Sequence, residues 1–438
     1  VKLSHREILQ QAQQAAQQED WSIVSQNLQQ LLLSESQGAI DTEVEFDSLL
    51  DLALQVLEGS DFQDRWEVAK VFPTLGERSI APLIALLESD ADSEARWFAV
   101  RILGGFAHPL AHPDVLAAIV RLLKTSDQEE LRGMAVSVLV NGGDEAIAIL
   151  QDLLQLETTR LVAAQALAQI RRLETVPLLL EVVNDADPQI RATAIESLGS
   201  FHHPEISAAL IRAIQDPIAS VRRAAVTALG FCAAQATELD LVSHLRPLLL
   251  DLNLDVCKQT ATALGRLGTL EAANTLFESL QSIHTPEPLA IELIRALGWV
   301  GRSEALQYLH RALIELPLTE SVQQEVLVVL GRVDQPDLKP QATQILLDLL
   351  THKAAFTRSP AARQSIALAL GQLGNPNALN PLIDLLADSN VSVRLHVISA
   401  LKTLAPETAY QRLEQLSQSE RDSELGRGAT IALQEWKR

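Results

Sequence analysis

The sequence predicts an all-α fold: a right-handed α-solenoid, or superhelix, of about twelve stacked helix pairs with an atypical helical stretch at the N-terminal end. Three observations carry this expectation. A short phrase recurs along the chain at a near-constant interval. Each interval divides into two amphipathic halves separated by a polar turn. The composition, 47% hydrophobic but only 4% aromatic, favours the Leu, Ala, Ile and Val that suit helices packed on helices.

The phrase reads Arg191-Ala-Thr-Ala-Ile-Glu-Ser-Leu198-Gly199 in one copy and Arg222-Arg-Ala-Ala-Val-Thr-Ala-Leu229-Gly230 in the next. A later copy runs from Arg363 to Leu370-Gly371 and on to Gly374. The apolar residue seven after the Arg position anchors each copy. These anchors are Phe72, Leu103, Leu139, Leu167, Leu198, Leu229, Leu264, Leu297, Leu330, Leu370, Leu401 and Leu433. The first helix of each pair shows i, i+3, i+4 apolar spacing, as in Ala81 to Leu87 and Pro381 to Leu386. Polar turns such as Asp185-Ala-Asp187-Pro188 and Asp388-Ser-Asn390 follow, and their side chains suit helix N-caps. The Leu-Gly pair at the end of the second helix is read in two ways. The Gly either takes a left-handed conformation that closes the helix or allows close packing. Neither helix of a pair can bury its apolar stripe alone, so the pairs are expected to stack.

Residues 1–60 lack the phrase and form the first expected domain, a helical acidic N-terminal cap or arm; residues 61–438 form the repeat solenoid. Helices rich in Gln and Ala are expected over 5–33, with Trp21 between them, and another from Val44 to Leu57. At the other end Gly426 to Trp436 reads as a final half-unit.

The phrase Asp-x-x-x-x-Val-Arg-x-x-Ala-x-x-Ala-Leu-Gly, best matched by Asp216 to Gly230 and Asp388 to Leu401, resembles HEAT repeats. Specifically, it resembles the short type of the phycobilisome-lyase HEAT-like family. The resemblance covers roughly residues 61–438 and is specific for fold and weak for function. It implies that a turn Asp and a helix Arg form a ladder along the array. Here that ladder would use Arg65, Arg96, Arg132, Arg160, Arg191, Arg222, Arg363 and Arg394, with breaks at Cys257, Ala290 and Gln323. It also implies a range of activities, from bilin lyases and phycobilisome-degradation factors to a peptide hydroxylase and many adaptors. The hydroxylase of this family uses His-Glu pairs, and this sequence contains no His-Glu dipeptide.

Charge and motif content exclude several functions. Asp+Glu number 56 against 35 Lys+Arg, a net charge of −21, which disfavours nucleic acid and anionic membranes as partners. The two cysteines, Cys232 and Cys257, have neither CxxC spacing nor a companion His at zinc-site intervals. No Gly-rich phosphate loop, HExxH or GxSxG is present, so no catalytic residue, metal or cofactor is expected. His108 and His112 stand at i, i+4, but Pro109 and Pro113 interrupt the helix that would align them, and His202-His203 falls in an ordinary turn. The insertion Lys353 to Pro360 is either a contact loop or a tolerated lengthening. The N-terminus shows no secretory signal and no stretch reads as a membrane span, so a cytoplasmic location is expected.

One constellation points to binding. In the second helices, positions one and five after the Arg lie on the stripe opposite the core. In HEAT arrays these helices line the concave face. The first unit places Trp66 and Lys70 on that stripe, and the next places Trp97 and Arg101 there. Trp and Arg are common interface anchors. Trp299, Arg266 and Arg332, with Phe231, extend the candidate groove in the same frame. The alternative is that both tryptophans pack against the N-terminal helices. The expected function is a scaffold, adaptor or assembly factor that holds a partner protein on its concave face. A basic protein and a component of a photosynthetic complex are both open as partners. The second reading is a bilin lyase or bilin chaperone that attaches a linear tetrapyrrole to a phycobiliprotein. Trp66, Trp97, Lys70 and Arg101 would then stack on the rings and pair with propionates.

Overall fold

The computed structural model describes residues 5–35, 43–106, 110, 112–201, 203–351, 355–420 and 422–436. Its described residues are helical throughout, in α-helices and short 3-10 turns joined by brief connections. The chain divides into two compact units, Val1–Phe201 and His202–Arg438. Among the described residues no helix is long and apolar enough to cross a membrane.

Within the N-terminal unit, helices His5–Gln17 and Trp21–Glu35 pack on each other, and Glu43–Gly59 packs on Phe62–Ala69. Helices Ser93–Leu103, Glu129–Asn141, Arg160–Ile170 and Pro188–Leu198 then stack in succession. The C-terminal unit repeats this stacking through Ala219–Leu229, Leu254–Leu267, Glu287–Trp299, Glu320–Gly331, Pro360–Leu373 and Val391–Leu404. The anchors explain why. Every one from Phe72 to Leu401 is 0% exposed, so each repeat drives one large apolar side chain fully into the core of its unit, from the second helix in all but the first, where Phe72 opens the short helix Phe72–Leu75. Leu433 is half-buried.

The turns hold the stack together in two ways. The later turn residue caps the second helix: Asp187 accepts from Gln189 N–H, Asn253 from Asp255 N–H and Asn390 from Val393 N–H. The earlier turn residue, Asp185, Asp251 or Asp388, accepts the ladder arginine of the preceding repeat, from Arg160, Arg222 and Arg363 respectively. Each of Arg160, Arg191, Arg222, Arg363 and Arg394 also donates to the carbonyl six residues earlier in its own repeat. At the first break in the ladder, the Cys257 thiol donates to Asp251 O at 3.2 Å. At another, Gln323 donates to Leu318 O. The charge is lost at both, but the bond to the turn is retained.

The recurring Leu-Gly pair separates into two roles. Gly230 ends its helix at φ −62°, an ordinary right-handed value, so left-handed closure does not explain it. It is there because the next second helix is close: a Cβ built on Gly230 would lie 3.0 Å from Ala263 Cα. The same contact recurs between Gly265 and Ala296 and between Gly371 and Ala400. Left-handed closure belongs instead to the second glycine of the extended phrase, Gly268 at φ 65° and Gly374 at φ 69°.

Candidate functional site

The four sequence-predicted residues of the first two repeats come together in the N-terminal unit. Helix Phe62–Ala69 begins at an N-cap, Asp61, which accepts from Asp64 N–H. Its register sends Arg65 inward and Trp66 to the accessible side. Arg65 is only 4% exposed and reaches across to the next repeat, donating to both carboxylate oxygens of Asp92 at 2.9 and 2.7 Å. Asp92 is itself the N-cap of helix Ser93–Leu103, which carries Trp97 and Arg101. Arg65 also pairs with Glu94 at 2.7 Å, so two ion pairs from one guanidinium tie the two site-bearing helices together. The Arg65 hydrogen bonds hold the Asp92 carboxyl below the usual carboxylate range, against the opposing effect of burial.

The aromatic groups form a continuous cluster. Phe98 is fully buried, and Trp66 and Trp97 each meet it edge-on, at ring-centroid distances of 6.4 and 5.1 Å. Phe62 stacks on Trp66 at 6.0 Å. Both indoles remain half-buried, so each has one face in the core and one at the surface. Arg101 closes the surface side: its guanidinium carbon sits 4.3 Å from the Trp66 ring centroid and 5.7 Å from that of Trp97. Lys70 is exposed and bonds Glu67 one helical turn back. Glu67 also accepts from Gln29 of the N-terminal helices. Its carboxyl is held low, first by Lys70 and then by Gln29.

These side chains wall a groove of about 540 Å³, lined by Trp66, Lys70 and Arg101. Trp97 lies beneath Arg101 and does not line the groove. The rest of the lining includes residues that sequence reasoning passed over: Gly104 and Gly105, then Met134, Ser137, Val138 and Asn141 of the third repeat. A signal for some of them was present. Ser137 and Asn141 stand five and nine after Arg132, and Gly105 stands nine after Arg96, in the same frame that selected Arg101 and Trp299. Other concavities lack this combination. One of about 550 Å³ is built around the ladder residue Arg363, and one of about 320 Å³ is lined by Leu250, Leu252 and Pro286.

The remaining predicted residues lie in the C-terminal unit. Arg266 sits over Phe231 at 4.7 Å, a second cation–aromatic pair, and Phe231 is 56% exposed. Trp299 is 53% exposed at the end of its helix, and Arg332 is the exposed C-cap of helix Glu320–Gly331. Among the described residues, neither Trp299 nor Arg332 makes an aromatic or cation–π contact. The structure therefore pairs Arg266 with Phe231 and leaves Trp299 and Arg332 as separate surface groups.

Cys232 and Cys257 are buried free thiols, and burial pushes both pKa values up. Among the described residues no group of three or more His, Cys, Asp or Glu is arranged to hold a metal. His108, His202 and Lys353 lie outside the described residues.

A profile of HEAT repeats matches residues 80–171, 157–230, 176–265 and 353–434, together more than half of the chain. No curated protein matches. Solved structures of similar fold include the Kap95:Nup1 complex, at TM-score 0.58 and 15% identity, covering 100% of this chain and 68% of that one. They also include the karyopherin Kap121p bound to the extreme C-terminus of the protein phosphatase Cdc14p, at TM-score 0.54 and 14% identity, covering 99% and 50%. Importin beta matches at TM-score 0.51 and 13% identity, covering 98% of this chain and 64% of that one. At these identities the likeness shows the fold alone. None of these matches points to the phycobilisome-lyase type of the repeat.

Proposed function

Because this chain belongs to the HEAT-repeat family, we propose that it is a protein-binding scaffold whose N-terminal groove receives a segment of a partner protein. The observation that carries this reading is the groove itself. It brings an indole, two cations and the apolar surfaces of Pro73, Ile102 and Met134 to one concave surface drawn from three successive repeats. Such mixed apolar and cationic concavities are what peptide and protein interfaces use as anchors. Trp66, Lys70 and Arg101 contact the partner, and Trp97 holds Arg101 in place. Arg266 with Phe231, and the separately exposed Trp299 and Arg332, provide further contact points on the C-terminal unit. The solved karyopherins of similar fold include complexes with protein partners. That accords with a scaffold role and does not identify the partner here.

Filling the groove tests the reading. Ser137 is exposed, and its hydroxyl bonds only the carbonyl one turn back, at Gly133. Ser137→Trp should therefore change stability by less than about 0.5 kcal/mol while occupying the groove. Proteins captured from the source cells on the immobilised wild-type chain, quantified by mass spectrometry, should fall at least tenfold with the variant at unchanged melting temperature. An identical captured set would remove the groove as the binding site.

A further inference from the structure

We propose that the N-terminal groove selects an acidic peptide segment, one in which an Asp or Glu carboxylate adjoins an apolar side chain. This rests on the scaffold reading above and names the partner's chemistry. The first ground is Arg101. Its guanidinium carbon lies 4.3 Å from the Trp66 ring centroid and 5.7 Å from that of Trp97, so two indoles restrain the group without neutralising its charge. Among the described residues those N–H groups make no hydrogen bond or ion pair. Four of the ladder arginines differ: Arg65, Arg160, Arg222 and Arg363 each engage a carboxylate of the protein itself. Arg101 is thus a fork restrained by two indoles that meets no anion among the described residues. A carboxylate accepts such a fork in bidentate fashion.

The second ground is charge. Acidic residues outnumber basic ones by 56 to 35 across the chain, yet the groove lining holds Lys70 and Arg101 and no Asp or Glu. Lys70 is already matched by Glu67, so Arg101 supplies the groove's uncompensated charge. One such charge suits a single carboxylate; a phosphate dianion would call for more. The acidic remainder of the surface repels a uniformly acidic partner, so recognition falls to a short motif seated at this one point. The third ground is the wall beside Arg101. Pro73, Ile102, Met134 and Val138 provide an apolar surface, and methionine adapts to side chains of different shape.

The probe is a phage-displayed library of random, unmodified peptides, selected on the 438-residue chain and on the Ser137→Trp, Arg101→Gln and Arg101→Lys variants. Arg101 is exposed, and a thermal melt checks that its variants fold. The wild-type chain should enrich peptides with Asp or Glu next to Leu, Ile, Phe or Met. A synthetic peptide from that pool should bind at least tenfold more weakly to Arg101→Gln. Its Asp→Asn or Glu→Gln form should bind the wild type equally poorly. Arg101→Lys, which keeps the charge but loses the fork and the stack, should fall between. Acidic peptides that bind Arg101→Gln as tightly as wild type overturn the proposal. Peptides lost in Ser137→Trp but free of acidic residues overturn it and leave the scaffold reading standing. If no selected peptide depends on Ser137, both readings fail.

Discussion

Arg222→Met is expected to destabilise the C-terminal unit by about 3 kcal/mol, the scale for breaking one side of a shielded ion pair. Arg222 and Asp251 are 15% and 9% exposed at their side chains. The guanidinium donates to both Asp251 oxygens at 2.8 Å and to the Asp216 and Pro217 carbonyls at 2.7 and 3.0 Å. Methionine fills most of the volume but leaves the Asp251 carboxylate without its counter-ion and two turn carbonyls without their donor. Urea denaturation of the full chain reads the loss. Amide exchange over residues 216–267 should rise locally, since repeat arrays need not unfold as one unit. A change under about 1 kcal/mol with unaltered exchange would show that the ladder contributes little.

The same pair sets a pH dependence. Hydrogen bonds from Arg222 depress the Asp251 pKa, outweighing the effect of burial. A carboxyl with a depressed folded-state pKa stabilises the fold fully above its unfolded-state value and loses that contribution as pH falls through the folded value. The stability gap between wild type and Arg222→Met should be full at neutral pH and shrink below about pH 4, the ordinary carboxylate range. A gap that stays constant to pH 2 would assign the effect to packing rather than charge.

Gly265→Ala should cost about 2–3 kcal/mol, although alanine is the better helix former. Gly265 lies inside helix Leu254–Leu267 with no positive φ, so backbone conformation does not require it. The added methyl would lie 2.8 Å from Ala296 O and 2.9 Å from Ala296 Cα, and both are backbone atoms of the next second helix. Relief requires the two helices to separate, and the neighbouring anchors Leu264 and Leu297 lose packing with them. The opposite sign is expected at Gly133, within helix Glu129–Asn141, where a Cβ meets nothing within 4 Å. Gly133→Ala should stabilise by about 0.5–1 kcal/mol through helix propensity alone. Equal effects at the two sites, read from denaturation midpoints, would contradict the close-packing account.

Parts of the candidate site were legible because helical phase is local. Counting one and five residues from Arg65 and Arg96 reaches Trp66, Lys70, Trp97 and Arg101, and three of these four line the groove. Phase alone does not show which accessible residue covers which. Trp97 lies outside the groove lining, with the Arg101 guanidinium carbon 5.7 Å from its ring centroid. Trp299 and Arg332 share the frame of Arg266, yet only Arg266 finds an aromatic partner.

The sequence by itself determined the helix pairs, their polar turns and the buried anchor of nearly every repeat. Those features follow from apolar periodicity along one chain segment, which burial enforces wherever the segment sits. Tertiary structure decided the rest. The distance between successive second helices made Gly265 and Gly371 contact points where a left-handed cap was the alternative. The approach of Cys257 to Asp251 O kept the turn bonded at a break in the arginine series. The offset between three stacked repeats brought Met134 and Ser137 opposite Trp66 and Arg101 to enclose a groove. These outcomes depend on how far each helix slides against its neighbour, which is settled by the fit of side chains across the stack.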